Sequence, residues 1–133
     1  MNILIDSSVL IALHDSDDVH HQRSIKDLDR VQTQGDEIWI TQHVLDEVMT
    51  ILAKRNKFKQ LKHLWQIIEL GDLHIFQPKS PQQDWQIMSQ TYSLLTEEKR
   101  KKASFTDLHQ VILVKHRYLA DSSMLSYDHH LSS

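Results

Sequence analysis

Apolar residues along the chain follow two spacings, the short runs typical of strands and the three- and four-residue repeat typical of amphipathic helices. Short β-branched or aromatic runs predict strands at residues 1–6, 38–40, 73–76 and 123–127. Helical spacing predicts helices at residues 9–13, 19–34, 41–52, 58–70, 80–95 and 104–118. In the clearest of these, apolar side chains share one helical face at Val44, Leu45, Val48, Ile51 and Leu52.

Residues with capping chemistry stand at the ends of these segments. Ser7 and Ser8 follow the first strand and offer N-cap oxygens to the first helix, and Thr41 does the same for the third. Gly35 and Gly71 follow the second and fourth helices and are typical C-terminal stops. These residues set the predicted helix boundaries.

Strands separated by helical stretches predict an α/β layer fold with a largely parallel sheet, because parallel neighbours require crossover connections. The length of 133 residues fits one domain, spanning 1–133. In parallel sheets, ligand sites gather beyond the carboxyl ends of the strands. Asp6 and Asp128 each stand at or just past the end of a predicted strand, so this edge of the sheet is the candidate site.

The three tryptophans occupy strand or helix-stripe positions. Trp65 falls with Leu64 on the predicted inward face of its helix, and Trp39 and Trp85 fit a strand and another helical stripe. Such positions favour the core or a dimer interface over stacking on nucleic-acid bases.

Composition excludes several classes of protein. The chain has no Cys, which removes disulfide frameworks, Cys-based zinc sites and thiol nucleophiles. With two Gly in total, it has no phosphate-cradling glycine-rich loop of the P-loop or Rossmann kind. No apolar run approaches the roughly 18 residues that span a bilayer, so we expect a cytoplasmic protein without membrane contact.

Charge is divided unevenly along the chain. The formal net charge is −3, but residues 1–50 carry −7 and residues 51–133 carry +4. Most of the bases form two clusters. One holds Lys54, Arg55, Lys57 and Lys59 and extends to Lys62, and the other holds Lys99, Arg100, Lys101 and Lys102. Either cluster could hold an RNA phosphate backbone, and either could equally be a solvated face.

Four carboxylates stand where a solvated charge is not the obvious choice. Asp6 ends an apolar strand, Asp107 lies in the first turn of the last helix, and Asp128 follows the last strand. Glu47 shares a helical face with apolar residues and borders the buried stripe, whereas its neighbour Asp46 is turned about 100° away.

Carboxylates that converge suit a hard divalent cation. Mg²⁺ prefers carboxylate and water oxygens, and it can lower the pKa of a water and stabilise the leaving oxygen of a phosphodiester. Each residue also has a local alternative: Asp6 as a helix cap, Glu47 as a boundary carboxylate, Asp107 in a capping box with Ser104, and Asp128 as a turn residue.

In this order and on these elements, the motifs resemble the PIN-domain family, in particular the VapC-type toxins of toxin-antitoxin modules. Ile3-Leu-Ile-Asp6 is similar to the family's opening strand, and Thr41-Gln-His-Val-Leu-Asp-Glu47 to the helix that carries its Glu. Ser104-Phe-Thr-Asp107 and Leu125-Ser-Tyr-Asp128 are similar to the third and final motifs. The resemblance implies a three-layer PIN-like fold, with a short, largely parallel central sheet flanked by helices.

The resemblance also implies an activity and partners. It implies an endoribonuclease dependent on Mg²⁺ or Mn²⁺, with Asp6, Glu47, Asp107 and Asp128 as catalytic residues and metal ligands. Ser8 and Ser126 match positions of small polar residues that support the site, although Asn or Thr is frequent where Ser8 stands. The implied partners are an RNA substrate, a cognate antitoxin and a second copy of the chain in a homodimer.

One departure from the family leaves two functions open. Only five residues follow Asp128, whereas the family usually continues to another short strand, so we expect a shorter sheet edge. The first function is the metal-dependent ribonuclease, acting as a toxin or in RNA processing. The second is a catalytically weak or silent PIN-like module that binds protein or RNA.

Overall fold

The computed structural model describes residues 1–97 and 103–128. Within these ranges the strands are β1 (Asn2–Ile5), β2 (Glu37–Ile40), β3 (His74–Ile75) and β4 (Ser122–Leu125). The helices are α1 (Ser7–His14), α2 (His21–Thr33), α3 (Gln42–Lys54), α4 (Phe58–Glu69), α5 (Pro81–Leu95) and α6 (Phe105–Lys115).

The four strands form one parallel sheet in the order β3-β2-β1-β4. The first strand is central: Leu4 pairs with Trp39 of β2 on one side and with Met124 of β4 on the other. The predicted parallel α/β fold is confirmed. The third strand is shorter than predicted, with the pairing confined to His74 and Ile75.

Alternation along β1 divides the core into two parts. Ile3 and Ile5 pack in a cluster with buried residues of α1 to α4, whereas Leu4 packs on the other face with buried residues of α5 and α6. Ile5 and Leu4 are fully buried. The sheet therefore lies between two helical layers, and the carboxyl end of β1 opens between them.

Several boundaries and exposures differ from the sequence-based expectations. The N-cap of α1 is Asp6, not Ser7 or Ser8, because Asp6 keeps the extended backbone of the strand and accepts a hydrogen bond from the Val9 amide. The last helix ends at Lys115 rather than 118, before Arg117 adopts a φ of 56°. Trp65 and Trp85 are 50% and 73% exposed, so neither lies in the core.

The predicted cluster Lys99, Arg100, Lys101 and Lys102 lies outside the described residues, as do the five residues after Asp128. Among the helices of the described ranges, none combines the length and the hydropathy that crossing a membrane requires.

Candidate active site

Asp6 lies at the carboxyl end of the central strand, where the chain turns into α1. Its side chain is almost fully buried, 1% exposed, and it receives three hydrogen bonds. Oδ1 accepts from the Ser8 hydroxyl at 2.5 Å and from the Val9 amide at 3.3 Å, and Oδ2 accepts from the Ser126 hydroxyl. A carboxylate has about four acceptor sites, so these donors leave room for one further ligand.

The electrostatic environment of Asp6 is mixed. Burial raises the pKa of the Asp6 carboxyl above its ordinary value, and the nearby charge of Asp107 raises it further. The hydrogen bonds from Ser126, Ser8 and Val9 act in the opposite direction and reduce the rise. Repulsion between the two carboxylates is therefore present, but burial is the larger cause of the raised Asp6 pKa.

Glu47 lies on the half-buried face of α3 and reaches the same edge of the sheet. Its Oε1 accepts a hydrogen bond of 3.1 Å from the hydroxyl of Ser7, the residue next to Asp6. Its neighbour Asp46 is exposed, and its carboxylate accepts a hydrogen bond of 3.2 Å from Gln42 of the same helix. The geometry thus distinguishes the two acidic residues as the helical-face argument predicts.

Asp107 occupies the third position of α6, where it completes a capping box with Ser104. The Ser104 hydroxyl accepts from the Asp107 amide at 3.1 Å, and Oδ2 of Asp107 accepts from the Ser104 amide at 3.2 Å. Asp107 therefore has the local capping role that its sequence position allows. Because this capping role uses one carboxylate oxygen, it is compatible with a second role for the other oxygen.

Asp128 and Ser126 belong to the segment that follows β4. Asp128 is half-buried, and its amide donates a hydrogen bond of 2.9 Å to the Ser126 hydroxyl oxygen. Ser126 in turn donates to Asp6. Asp128 is thus connected to Asp6 through one serine, as Glu47 is connected to the start of α1 through Ser7.

The first predicted basic cluster lies at the end of α3 and the turn that follows. Arg55 donates to Asp15 at 2.8 Å, and Lys57 lies 3.6 Å from Asp15 and 3.3 Å from Asp17. The Asp17 amide, with Arg55 and Lys57, holds the pKa of the Asp15 carboxyl below its ordinary value. Arg55 and Lys57 are therefore ion-paired, while Lys54, Lys59 and Lys62 are exposed.

A cluster of aromatic rings that the sequence analysis did not single out lies beside the acidic residues. The ring of His43, one turn before Glu47, lies 4.7 Å from the ring of His109 and 5.5 Å from that of Phe105. His109 is buried, and burial together with His43 lowers its pKa to about 4. Its position two residues after Asp107 is the signal that could have indicated it.

The donor chemistry fits a hard divalent cation held by few protein ligands. Mg²⁺ is usually bound by one or two carboxylates, with water and substrate phosphate completing the octahedron. Asp6 and Asp107 are the candidates for such a pair, because the charge of Asp107 raises the pKa of the Asp6 carboxyl. In residues 1–97 and 103–128, no group of three or more His, Asp or Glu side chains is placed to hold a metal ion. The described residues therefore fit an open site with two carboxylates.

Comparison with known proteins places this chain in a family. The sequence model of the PIN domain matches residues 3–115, a span that contains Asp6, Glu47 and Asp107. The chain therefore belongs to the PIN domain family, as the four motifs predict. No curated protein matches the sequence significantly.

Two solved structures share the fold. One is VapC20 of Mycobacterium tuberculosis, described as a toxin that cleaves the sarcin-ricin loop, with a TM-score of 0.70 and 16% identity over 95% of this chain and 91% of that one. The other is from VapBC2 of Rickettsia felis, bound to a DNA fragment from their promoter, with a TM-score of 0.58 and 15% identity over 96% of this chain and 100% of that one.

Proposed function

We propose that this chain is a divalent-metal-dependent endoribonuclease and the toxin of a type II toxin-antitoxin module. The observation that carries the proposal is the buried Asp6 carboxylate at the end of β1, held by Ser8 and Ser126 and facing the charge of Asp107. Membership of the PIN domain family and the likeness to VapC20, a toxin that cleaves the sarcin-ricin loop, support it.

Each acidic residue has a role in this proposal. Asp6 and Asp107 would hold the cation, and Asp128 would be a secondary ligand from the segment after β4. Glu47, with one oxygen bound to Ser7, uses the other to accept a hydrogen bond from the attacking water. Water adds to phosphorus and gives a proton to Glu47, while the bond from phosphorus to one ribose oxygen breaks. That oxygen takes up a proton from solvent, which leaves one phosphate end and one hydroxyl end.

The cation would be Mg²⁺ or Mn²⁺. When bound, it would supply the positive charge that offsets the carboxylates and the charge that develops on the phosphate. The buried position of Asp6 fits this, because a nearby cation favours the ionised form that burial disfavours. Ser8 and Ser126 keep both Asp6 oxygens in a fixed orientation before any ligand arrives.

RNA would be guided to the acidic site by cations around it. Lys54 is the candidate at the end of α3, since Arg55 and Lys57 are bound to carboxylates. The segment with Lys99, Arg100, Lys101 and Lys102 precedes Ser104 and Asp107 in the sequence and supplies the other bases. Such contacts give affinity that does not depend on RNA sequence.

The proposed protein partners are an antitoxin and a second copy of the chain. An antitoxin partner is suggested by the VapBC2 assembly. An exposed apolar groove of about 330 Å³ lies between α5 and the start of α6 and is lined by Trp85, Met88, Tyr92 and Phe105. It would pack against the same groove in a homodimer. The proposed location of the protein is the cytoplasm, where it would meet its RNA substrate. Sedimentation of Trp85→Ala beside Trp65→Ala tests the dimer, and co-purification with the product of a neighbouring small gene tests the antitoxin.

The nuclease is tested by incubating the purified chain with mixed tRNA and rRNA in Mg²⁺, Mn²⁺ or EDTA. Glu47→Gln and Asp46→Asn form a matched pair, because the two residues are adjacent on α3 but only Glu47 faces the site. We expect cleavage that requires metal, is abolished in Glu47→Gln and is retained in Asp46→Asn. Circular dichroism verifies that both variants fold.

Two outcomes would contradict this proposal. Cleavage that survives EDTA would exclude the role of the metal. Cleavage that is equally weak in both variants would exclude the role of Glu47 in activating the water. No cleavage of any RNA in the mixture with metal present, together with RNA or protein binding, would favour the catalytically silent PIN-like module.

A further inference from the structure

Tyr127 connects the segment after β4 to helix α2. Its phenol donates a hydrogen bond of 2.8 Å to Oδ2 of Asp27, a residue 100 positions earlier in the chain. The guanidinium of Arg23 lies 4.4 Å from the centre of the Tyr127 ring, and the ring of His20 lies 5.0 Å away. The side chain is therefore held both at its hydroxyl and at its ring.

The partner of the Tyr127 phenol is itself fixed. Asp27 lies 3.7 Å from Arg23 and 3.4 Å from Arg30, and its side chain is 15% exposed. Burial and the bond to Asp27 raise the pKa of the Tyr127 phenol, so it stays a hydrogen-bond donor at physiological pH. The contact is thus a persistent attachment of the final segment to α2.

The residues beside this attachment hold Asp6. The Tyr127 amide donates a hydrogen bond of 3.0 Å to the Ser8 oxygen, and Ser8 donates to Oδ1 of Asp6. Ser126 donates to Oδ2 of Asp6 and accepts from the amide of Asp128. Both hydroxyl donors to Asp6 therefore depend on where the backbone of residues 126–128 lies.

We infer that Tyr127, through its bond to Asp27, is a positioning residue for the Asp6 carboxylate. This inference rests on the proposed nuclease function and extends it to two residues that do not touch the substrate. Loss of an outer partner of a metal ligand typically lowers affinity or activity about 10–100-fold. Since the Tyr127 contact acts through Ser8 and Ser126, we expect an effect near the lower end of this range.

The test compares Tyr127→Phe with the matched variant Tyr118→Phe. The Tyr118 phenol also donates a short hydrogen bond, 2.7 Å to Gln90, but it lies beyond the opposite end of α6 from Asp107. We expect Tyr127→Phe to lower kcat about tenfold with KM within about twofold. Amide hydrogen exchange at Tyr127 and Asp128 should accelerate in that variant, and Tyr118→Phe should change neither quantity.

Variants of Asp27 separate positioning from general stability. Asp27→Asn keeps an acceptor for the phenol and should retain most of the activity. Asp27→Ala should reproduce Tyr127→Phe, and the double variant should be no slower than either single one. An unchanged kcat in Tyr127→Phe, or an equal loss in Tyr118→Phe, would overturn the inference.

Hydrogen exchange keeps this test separate from the test of the nuclease. A wild-type chain that cleaves no RNA contradicts the proposed function, whatever the variants do. In that case, unchanged exchange at Tyr127 and Asp128 in Tyr127→Phe would overturn the positioning contact, and faster exchange would support it.

Discussion

The hydroxyl of Ser126 donates a hydrogen bond to Oδ2 of Asp6, across 120 residues of sequence. With Ser8 and the Val9 amide, it favours the ionised carboxylate, whereas burial and the charge of Asp107 disfavour it. Because burial is the largest of these influences, the folded protein holds a carboxylate whose charge destabilises the fold. Stability and the proposed metal-binding function therefore oppose each other at one side chain.

Replacing Asp6 with Asn should stabilise the protein in the absence of divalent metal. The folded-state pKa of Asp6 is raised above its ordinary value, so ionisation is less favourable in the folded chain than in the unfolded one. The Tm difference between Asp6→Asn and the wild type should be largest at pH 7. It should shrink as the pH falls through the folded pKa towards the ordinary value of 3.8. Thermal unfolding in EDTA measures this.

Addition of Mg²⁺ should give the wild type a higher Tm than Asp6→Asn, the reverse of the order without metal. A cation that binds only the folded chain stabilises it by mass action, and Asp6→Asn lacks the charge that binds it. We expect millimolar Mg²⁺ to raise the Tm of the wild type and leave that of Asp6→Asn unchanged. An equal rise in both would argue against Asp6 as a ligand.

The capping and catalytic roles of Asp107 should separate in two variants. Ser104→Ala removes the N-cap of α6 and should lower the free energy of unfolding by about 1 kcal/mol while RNA cleavage persists. Asp107→Asn still accepts from the Ser104 amide, so stability should change by less than about 0.5 kcal/mol. Its cleavage rate should nevertheless fall at least about 100-fold, since a ligand matters more than its outer partners. Urea unfolding and single-turnover cleavage measure the two effects; parallel losses in both variants would refute the separation.

His109 should make the protein less stable in mild acid. The unfolded chain takes up a proton near pH 6.5, whereas the buried His109 does so only near pH 4. Stability should therefore fall between these values, by up to about 3 kcal/mol, as the pH decreases. His109→Phe should flatten this dependence in urea unfolding, because a phenyl ring takes up no proton. The substitution removes no hydrogen bond of the Nδ1 atom, which has no partner among the described residues. The exposed His116, at the end of the same helix, supplies the control variant His116→Gln, which should unfold with the wild-type dependence.

The basic residues after α3 should divide into structural and RNA-binding ones. Arg55→Ala removes a half-exposed partner of Asp15 and should destabilise the fold by about 1 kcal/mol. Its effect on the salt dependence of RNA binding should be small. Lys54→Ala should leave stability within about 0.5 kcal/mol of the wild type. It should reduce the slope of log RNA affinity against log salt concentration by about one. Fluorescence anisotropy with Asp6→Asn as the non-cleaving background measures the slope, and an Arg55 effect larger than that of Lys54 would reverse the assignment.

Periodicity and capping chemistry predicted much of the fold from the sequence. The parallel α/β architecture, the Thr41 cap and the capping box of Ser104 and Asp107 all appear in the structure. These features depend on residues close together in sequence, whose spacing records the local geometry. The choice of Glu47 over Asp46 was accessible for the same reason, because helical rotation fixes which one borders the core.

Other features required contacts between distant segments. The hydrogen bond from Tyr127 to Asp27 and the one from Ser7 to Glu47 join elements whose relative placement no local pattern records. The exposure of Trp65, predicted on the inward face of its helix, was also mispredicted, since an apolar stripe can be wider than the surface that neighbouring helices cover. Ser7 and Ser8 were assigned as caps because their chemistry allows it, but the backbone turn begins one residue earlier.

The position of β1 between β2 and β4 has a consequence for the order of events during synthesis. The first strand can pair with β2 once about 40 residues are available, but its other edge waits for residues 122–125. Pairing across so long a sequence interval is intrinsically slow, because the loop-closure entropy is lost before the contacts form. Ser126 reaches Asp6 only after that step, so a growing chain has no completed acidic site. A nascent chain that stops before residue 126 would thus lack one of the two serine hydroxyls that orient Asp6.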